Sequence, residues 1–258
     1  MVTYNGKDLE DFQVICLGRG TFNAPARDIE QVHIPGKSGD LLFDNGGFKN
    51  VNLTYPDCHI LTDFDNNIAA LRNFLLSSPG YHRLEDSYNP DEYRMAEFRG
   101  PLDAEAHTAR GNDSGKFSLT FNCMPQRWLK EGEEEIELAA TQVLYNKWQP
   151  AKPIWTVRLP AGGSVTITIV KYPYPGTGSS LQTTITNSGT TVRRYRIDTE
   201  TGTVYEYADY EWSGSGYNGA AAVSGDMPII GGFSGYEVRV AGLTGGASCK
   251  IIPRWWRA

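Results

Sequence analysis

Hydrophobic and polar positions alternate along most of this chain, and the alternation predicts strands far more often than helices. Val51, Leu53 and Tyr55 are interleaved with Asn52 and Thr54, the two-residue period of a strand with one buried face. The same period recurs at 116–123, where Phe117, Leu119 and Phe121 alternate with polar partners. Short runs at 12–17, 81–85 and 93–98 predict further strands, the last two flanking the polar stretch Asn89, Pro90, Asp91 and Glu92. Only 66–78 carries a helical period. There Ile68, Leu71 and Leu75 share a face with Phe74 beside them, Asp65 or Asn66 can cap the first turn, and Pro79-Gly80 stops it. A single short helix in a β-rich chain is expected to plug one face or end of a sheet.

The stretch 21–55 holds two turn signals and no helical period. Ile29, Val32 and Ile34 lead into Pro35-Gly36-Lys37-Ser38-Gly39, an expected hairpin tip, because Pro presets one turn torsion and Gly accepts the positive one. Leu41-Leu42-Phe43 follows, then a second expected turn at Asn45-Gly46-Gly47. Fully extended, 21–38 reaches roughly 60 Å, whereas a domain of this size has a radius of gyration of about 14 Å. Two routes are open: folding back on its own sheet, or running out to cover a neighbour's edge strand. A long exposed edge is an aggregation hazard in a monomer, so 22–38 is expected at a subunit interface. Phe22, Asn23, Pro25, Ile34, Pro35 and Gly36 would line it, with Arg27, Asp28 and Glu30 fixing register through charge pairs.

Beyond the charge run from Lys130 to Glu135, the chain changes character. Gly, Thr, Ser and Tyr dominate, and strand-like runs recur at 154–159, 164–170, 183–186, 193–198, 203–207, 236–240 and 248–252. Closely spaced short strands separated by turns predict a β-sandwich. The expected organisation is mainly β: a sandwich-like or barrel-like domain at 1–130 carrying the helix, then a second sandwich at 131–258.

Composition narrows the function classes. At 258 residues, one large domain or two ordinary ones fit the length. The net charge of -6 gives no reason to expect a nucleic-acid surface, which needs a basic face. The polar start MVTYNGKDLEDF has no signal-peptide core, and no run is apolar enough to span a membrane. Synthesis and folding in a cytoplasm are therefore expected. Cys16, Cys58, Cys123 and Cys249 are far apart in sequence and lack zinc-ligand spacing, so buried free thiols are expected and no metal or cofactor.

Candidate chemistry is thin. Gly214-Ser215-Gly216-Tyr217-Asn218-Gly219 matches G-x-G-x-x-G. That motif needs an apolar strand before it and a helix after it, and the flanks supply neither. Gly111-Asn112-Asp113-Ser114-Gly115 reads as a turn rather than a nucleophile loop, because nothing singles out a base among His33, His59, His82 and His107. Glu85, Asp86, Asn89, Asp91 and Glu92 offer clustered oxygens without the ligand order of a calcium loop, and read as a polar hairpin tip facing water or a basic partner. Tyr207, Tyr210, Trp212 and Tyr217 offer an alternative function, a sugar-stacking platform centred on Tyr210, Trp212 and Tyr217. No catalytic residues are identified, and an enzyme is not expected.

Taken together, the motifs resemble the phage distal tail protein family, the baseplate hub proteins of long non-contractile-tailed phages of Gram-positive bacteria. The resemblance rests on Tyr4-Asn5-Gly6-Lys7-Asp8, Gly20-Thr21-Phe22-Asn23-Ala24-Pro25-Ala26-Arg27-Asp28, Ile34-Pro35-Gly36-Lys37-Ser38-Gly39-Asp40, Gly80-Tyr81-His82-Arg83-Leu84-Glu85-Asp86 and Cys123-Met124-Pro125-Gln126-Arg127-Trp128. In the second half it is carried by Ile197-Asp198, Tyr205 and the ending Ile251-Ile252-Pro253-Arg254-Trp255-Trp256. It implies a homo-hexameric ring built by the N-terminal domains, with galectin-like, carbohydrate-module-like sandwiches at its periphery. Such a ring would sit at the virion tail tip between the tail-tube protein and the tail-tip protein, with a receptor-binding protein as a further partner.

Overall fold

The computed structural model describes residues 1–17, 22–107, 113–172, 180–209 and 216–258, and the chain divides into two compact units, Met1–Arg127 with Ala258 and Trp128–Arg257. The first unit opens with a tight hairpin. Asn5 and Gly6 take positive φ (49° and 75°), which lets two residues join β1 (Val2–Tyr4) to β2 (Lys7–Asp8). A turn of 3-10 helix, Leu9–Phe12, follows, with the Asp8 carboxylate accepting from the Glu10 amide at 3.0 Å. It buries Leu9 and Phe12, so β3 (Val14–Leu17) starts later than the apolar run at 12–17 suggests.

Then come β4 (Arg27–Val32), β5 (Leu41–Phe48), β6 (Val51–Ile60), α1 (Phe64–Ser77), β7 (His82–Asp86), β8 (Glu92–Glu97), β9 (Ala104–His107) and β10 (Ser114–Leu129). The main sheet runs β2-β1-β7-β8-β10-β6-β3, with β9 also paired to β10. In β10 inward and outward positions alternate almost without a break, as the Phe117, Leu119, Phe121 period requires. Between β6 and β10 the register shifts at Phe117/Leu119, so Pro56 and Asp57 share one opposing residue. A bulge is where a residue without an amide donor fits inside a sheet.

Helix α1 starts at Phe64, earlier than its apolar period indicates, because the Phe64 ring is itself buried. Asp63 enters it in the left-handed region (φ 46°) and accepts from the Asn66 side chain at 2.8 Å, so neither Asp65 nor Asn66 supplies the expected cap. Phe64, Ile68, Leu71 and Leu75 join Tyr4, Phe12, Tyr55, Phe98 and Phe121 in one core. The Tyr4 and Phe121 rings meet at 4.9 Å.

The second unit holds β11 (Ile136–Glu137), β12 (Thr141–Asn146), β13 (Ile154–Leu159), β14 (Ser164–Tyr172), β15 (Leu181–Thr186), β16 (Arg193–Asp198), β17 (Thr203–Ala208), β18 (Tyr217–Asn218), β19 (Val223–Gly225), β20 (Ser234–Ala241) and β21 (Ser248–Ile252). They form two sheets, β11-β21-β13-β16-β17-β18 and β12-β20-β14-β15-β19. Trp155, Val157, Leu159, Ile167, Ile185, Ile197, Val238 and Ile251 belong to one shared core, so this unit is a β-sandwich. Trp155 is fully buried, and its indole donates to the Pro228 carbonyl at 2.8 Å, which removes the cost of enclosing that N–H. Among the described residues the chain is mainly β with one α-helix, as its hydrophobic pattern predicts.

Candidate interaction surface

β4 and β5 form a sheet of their own, paired to no other strand among the described residues. The tip is the expected turn: Pro35 and Gly36 (φ 83°) are its central residues, and the Lys37 amide donates to the Ile34 carbonyl at 3.1 Å. Asn45-Gly46-Gly47, however, makes no second turn. β5 continues through it as a wide bulge, with Ile29 opposite Asp44 and Arg27 opposite Phe48. Gly46 takes φ 77°, and its amide donates to Asp44 at 2.8 Å; the Asn45 side chain donates to Asp28 at 3.3 Å. Side chains from both strands thus satisfy the bulge, and the ladder resumes beyond it.

Directly paired residues share a face, so the register sorts the hairpin's apolar residues onto two sides. Val32 faces Leu41 and Glu30 faces Phe43 on one side, while Gln31 faces Leu42 on the other, beside Ile29. Leu42 is 58% exposed, Phe43 50% and Phe22, just before the hairpin, 78%. Val32, Ile34 and Leu41 are exposed as well. A lone two-stranded ribbon is marginal in water, and one bearing apolar side chains on both faces has no core to bury them in.

The charged residues expected to pair across an interface are engaged closer to home. Arg27 donates to Asp44 at 2.9 Å and lies 5.3 Å from the Phe48 ring centre, and Asp28 lies 3.6 Å from the Lys49 ammonium. Glu30 is exposed, and Asn23 and Pro25 sit in the segment leading to β4. Sequence reasoning missed Leu41, Leu42 and Phe43 as surface residues. Their signal was present: three consecutive apolar positions cannot all face one core from a strand of period two. A second apolar patch lies beside the sheet's edge strand β3, where Ile15, Leu17 and Leu61 are exposed.

The acidic group near β7 and β8 faces water only in part: Asp91 is exposed at the tip. Glu92 is buried and ion-paired to buried Arg127, whose Nη2 also donates to Asn89 at 3.1 Å. Asp86 accepts from the amides of Tyr88 and Asn89 and from the Tyr55 hydroxyl at 2.8 Å. Burial and the Asp86 carboxylate raise the Tyr55 pKa, so Tyr55 serves as a donor. The oxygens of Asp86, Asn89 and Glu92 are thus held by partners within the fold. Among the described residues no cluster of three or more His, Cys, Asp or Glu is placed to hold a metal ion, and no helix is long and apolar enough to cross a membrane.

All four thiols are buried, with Cys123 and Cys249 pushed up to about 12 by burial. Cys16 and Cys58, far apart in sequence, meet across β3 and β6.

In the second unit a shallow polar pocket is lined by Glu135, Thr156, Arg158, Arg194, Ser248 and Lys250. Arg158 and Arg194 both donate to Asp209, at 2.9 and 2.8 Å, and hold its carboxyl down to about 2. On the neighbouring strand the Tyr205 and Tyr207 rings lie 6.5 Å apart. Tyr217 is 70% exposed on β18, which pairs with β17. A Cβ on Gly216 would come within 2.7 Å of the Tyr207 ring, so glycine lets the chain pass it. Tyr210 and Trp212 lie outside the described residues, as do Gly111 and Asn112 of the Gly111-Asn112-Asp113-Ser114-Gly115 motif and the first two residues of the G-x-G-x-x-G match.

No protein-family model matches this sequence, and no curated protein matches it. Among solved structures, the chain shares its fold with a protein described as SPP1 Dit (gp 19.1), a paradigm of hub adsorption apparatus in Gram-positive infecting phages. The TM-score is 0.67 at 15% identity, over 97% of this chain and 96% of that one. A chain of the phage P2 baseplate in its activated, calcium-bound conformation is similar at a TM-score of 0.50 and 9% identity, over 97% and 92% of the two chains.

Proposed function

We propose that this chain is a structural hub protein of a phage tail, a homo-hexameric ring at the tail tip that adapts the tail-tube protein to the tail-tip protein. The observation that carries the reading is the β4–β5 hairpin, with apolar side chains exposed on both faces and no partner strand among the described residues. A closed ring of identical subunits uses heterologous contacts, one patch meeting a different patch on the neighbour. The hairpin with Phe22, Leu42 and Phe43 is one patch; the edge strand β3 with Ile15, Leu17 and Leu61 is a candidate for the other. Glu30, Pro35 and Gly36 belong to the first patch, while Arg27 and Asp28 support it from within through Asp44 and Lys49. The likeness of fold to a tail hub protein supports the same reading. On this account the chain has no catalytic role, and a receptor-binding protein is a further partner. The test is co-expression with a tail-tube protein and electron microscopy: six-fold rings capping tubes are expected, and tubes left bare contradict the reading.

A second reading is supported by one face of β16 and β17, where Tyr205 and Tyr207 lie opposite Arg196 and Arg194, while Tyr217, paired with Glu206, sits on the other face. Neighbouring aromatic rings with adjacent guanidinium donors suit a saccharide. Binding of host cell-wall glycan that is lost in Tyr205→Ala and Tyr207→Ala would favour it; no binding on a broad glycan array would remove it.

A further inference from the structure

We propose that Cys16 and Cys58 form a reversible disulfide that closes the base of the loop bearing the hairpin when the chain meets an oxidising medium. The two residues are directly paired across β3 and β6, and their sulfurs lie 2.9 Å apart. Paired residues on antiparallel strands have Cα atoms about 4.5–5.5 Å apart, inside the span of about 4.4–6.8 Å that a disulfide bridges without backbone movement. No other thiol competes: Cys123 directs its sulfur to the Phe121 carbonyl at 3.9 Å, and Cys249 sits in the core of the other unit.

Position makes the bond consequential. The cysteines are 42 residues apart, and everything between them includes β4 and β5. Strand β3 is short and, among the described residues, paired on one side only, so the main anchor on the N-terminal side of the hairpin is an edge strand able to fray. A covalent tie there would fix the hairpin's origin, and long loops are those where cross-linking removes most unfolded-chain entropy.

The reaction needs a low-molecular-weight disulfide such as oxidised glutathione. The Cys16 thiolate attacks one glutathione sulfur and expels a glutathione thiolate, leaving a mixed disulfide on Cys16. The Cys58 thiolate then attacks the Cys16 sulfur and expels the second glutathione. Two protein thiols are oxidised, one glutathione disulfide is reduced to two glutathiones, and the two thiol protons pass to them. Cys16 retains slight exposure whereas Cys58 has none, which sets the order of attack. The hydrogen bond to Cys16 and burial raise the Cys58 pKa, so the closed sheet reacts slowly and opening of β3 sets the rate.

The test incubates the full chain with oxidised glutathione, both folded and during refolding from urea, followed by non-reducing peptide mapping. The expected result is a loss of about 2 Da, a peptide link between Cys16 and Cys58, and a melting temperature higher by roughly 5–10 °C that dithiothreitol reverses. The difference between oxidised and reduced samples should vanish in Cys16→Ala, whatever that variant's own stability. A bond formed only during refolding supports the geometry with access as the limit. Four alkylatable thiols after both treatments, a bond to Cys123, glutathione persisting on Cys16, or an unshifted melting temperature overturns the proposal.

Discussion

The Arg127 guanidinium on β10 reaches across to the Glu92 carboxylate on β8, Nε to Oε1 at 2.6 Å, with both side chains buried. Removing one member of such a pair leaves the other charge enclosed without compensation, which costs about 3–5 kcal/mol. Glu92→Leu and Arg127→Met are each expected to lose stability on that scale in urea denaturation, with the double variant recovering most of it. Equal and additive losses would mean that the pair is not coupled.

Arg94, two residues along the same strand, presents the opposite case. It is 6% exposed, its Nη1 has no hydrogen-bond partner among the described residues, and burial lowers its pKa. Arg94→Met keeps the aliphatic stem and discards the stranded charge, so a gain of ~1–2 kcal/mol is expected, read as a rise in melting temperature. A fall instead would point to a partner that the guanidinium meets in an assembly or through water.

Asp209 ties the end of β17 to β13 and β16 through Arg158 and Arg194. Those hydrogen bonds depress its folded pKa to about 2, below the ~3.9 of a free aspartate. A depressed carboxylate contributes stability that is present above the unfolded pKa and lost as pH falls through the folded one. Asp209→Asn should therefore melt below the wild type at neutral pH, with the curves converging toward about pH 2. Arg158 and Asp209 remain 33% and 31% exposed, and screening holds the neutral-pH gap to ~1 kcal/mol or less.

Much of this fold is legible in the alternation of side chains. β6 and β10 bury Val51, Leu53, Phe117, Leu119 and Phe121 as their two-residue period demands. The helix is equally plain from Ile68, Leu71 and Leu75, although Phe64 extends it upstream for tertiary reasons. Local chemistry misleads where long-range partners override it. Asn45-Gly46-Gly47 has turn composition, yet Asp28 and Asp44 hold it as a bulge in a continuing strand. Glu92 looks like a surface acid until Arg127, distant in sequence, is brought beside it. The proximity of Cys16 and Cys58 depends on β3 joining β6, a pairing that no spacing rule encodes. The exposed hairpin was partly visible: Phe22 and Ile34 are exposed, Arg27 and Asp28 pair with Asp44 and Lys49 of the same segment, and Leu42 and Phe43 add further exposed apolar surface.

The charged and the apolar residues of the hairpin give a mutational contrast. Arg27→Glu breaks an exposed pair with Asp44 and is expected to change folding stability by less than ~1 kcal/mol, while weakening assembly by loosening the hairpin. Leu42→Asp with Phe43→Asp should leave the melting temperature of the isolated subunit nearly unchanged, because both side chains are already half exposed or more. Thermal melts of dilute protein check both expectations.

The most direct measurement of the central claim is native mass spectrometry of the wild-type chain and the Leu42→Asp/Phe43→Asp variant over a rising concentration series. The account predicts a six-copy species that grows with concentration in the wild type and is absent from the variant. A six-copy species equally populated in both, or a wild type that stays monomeric at every concentration while remaining folded, would contradict it.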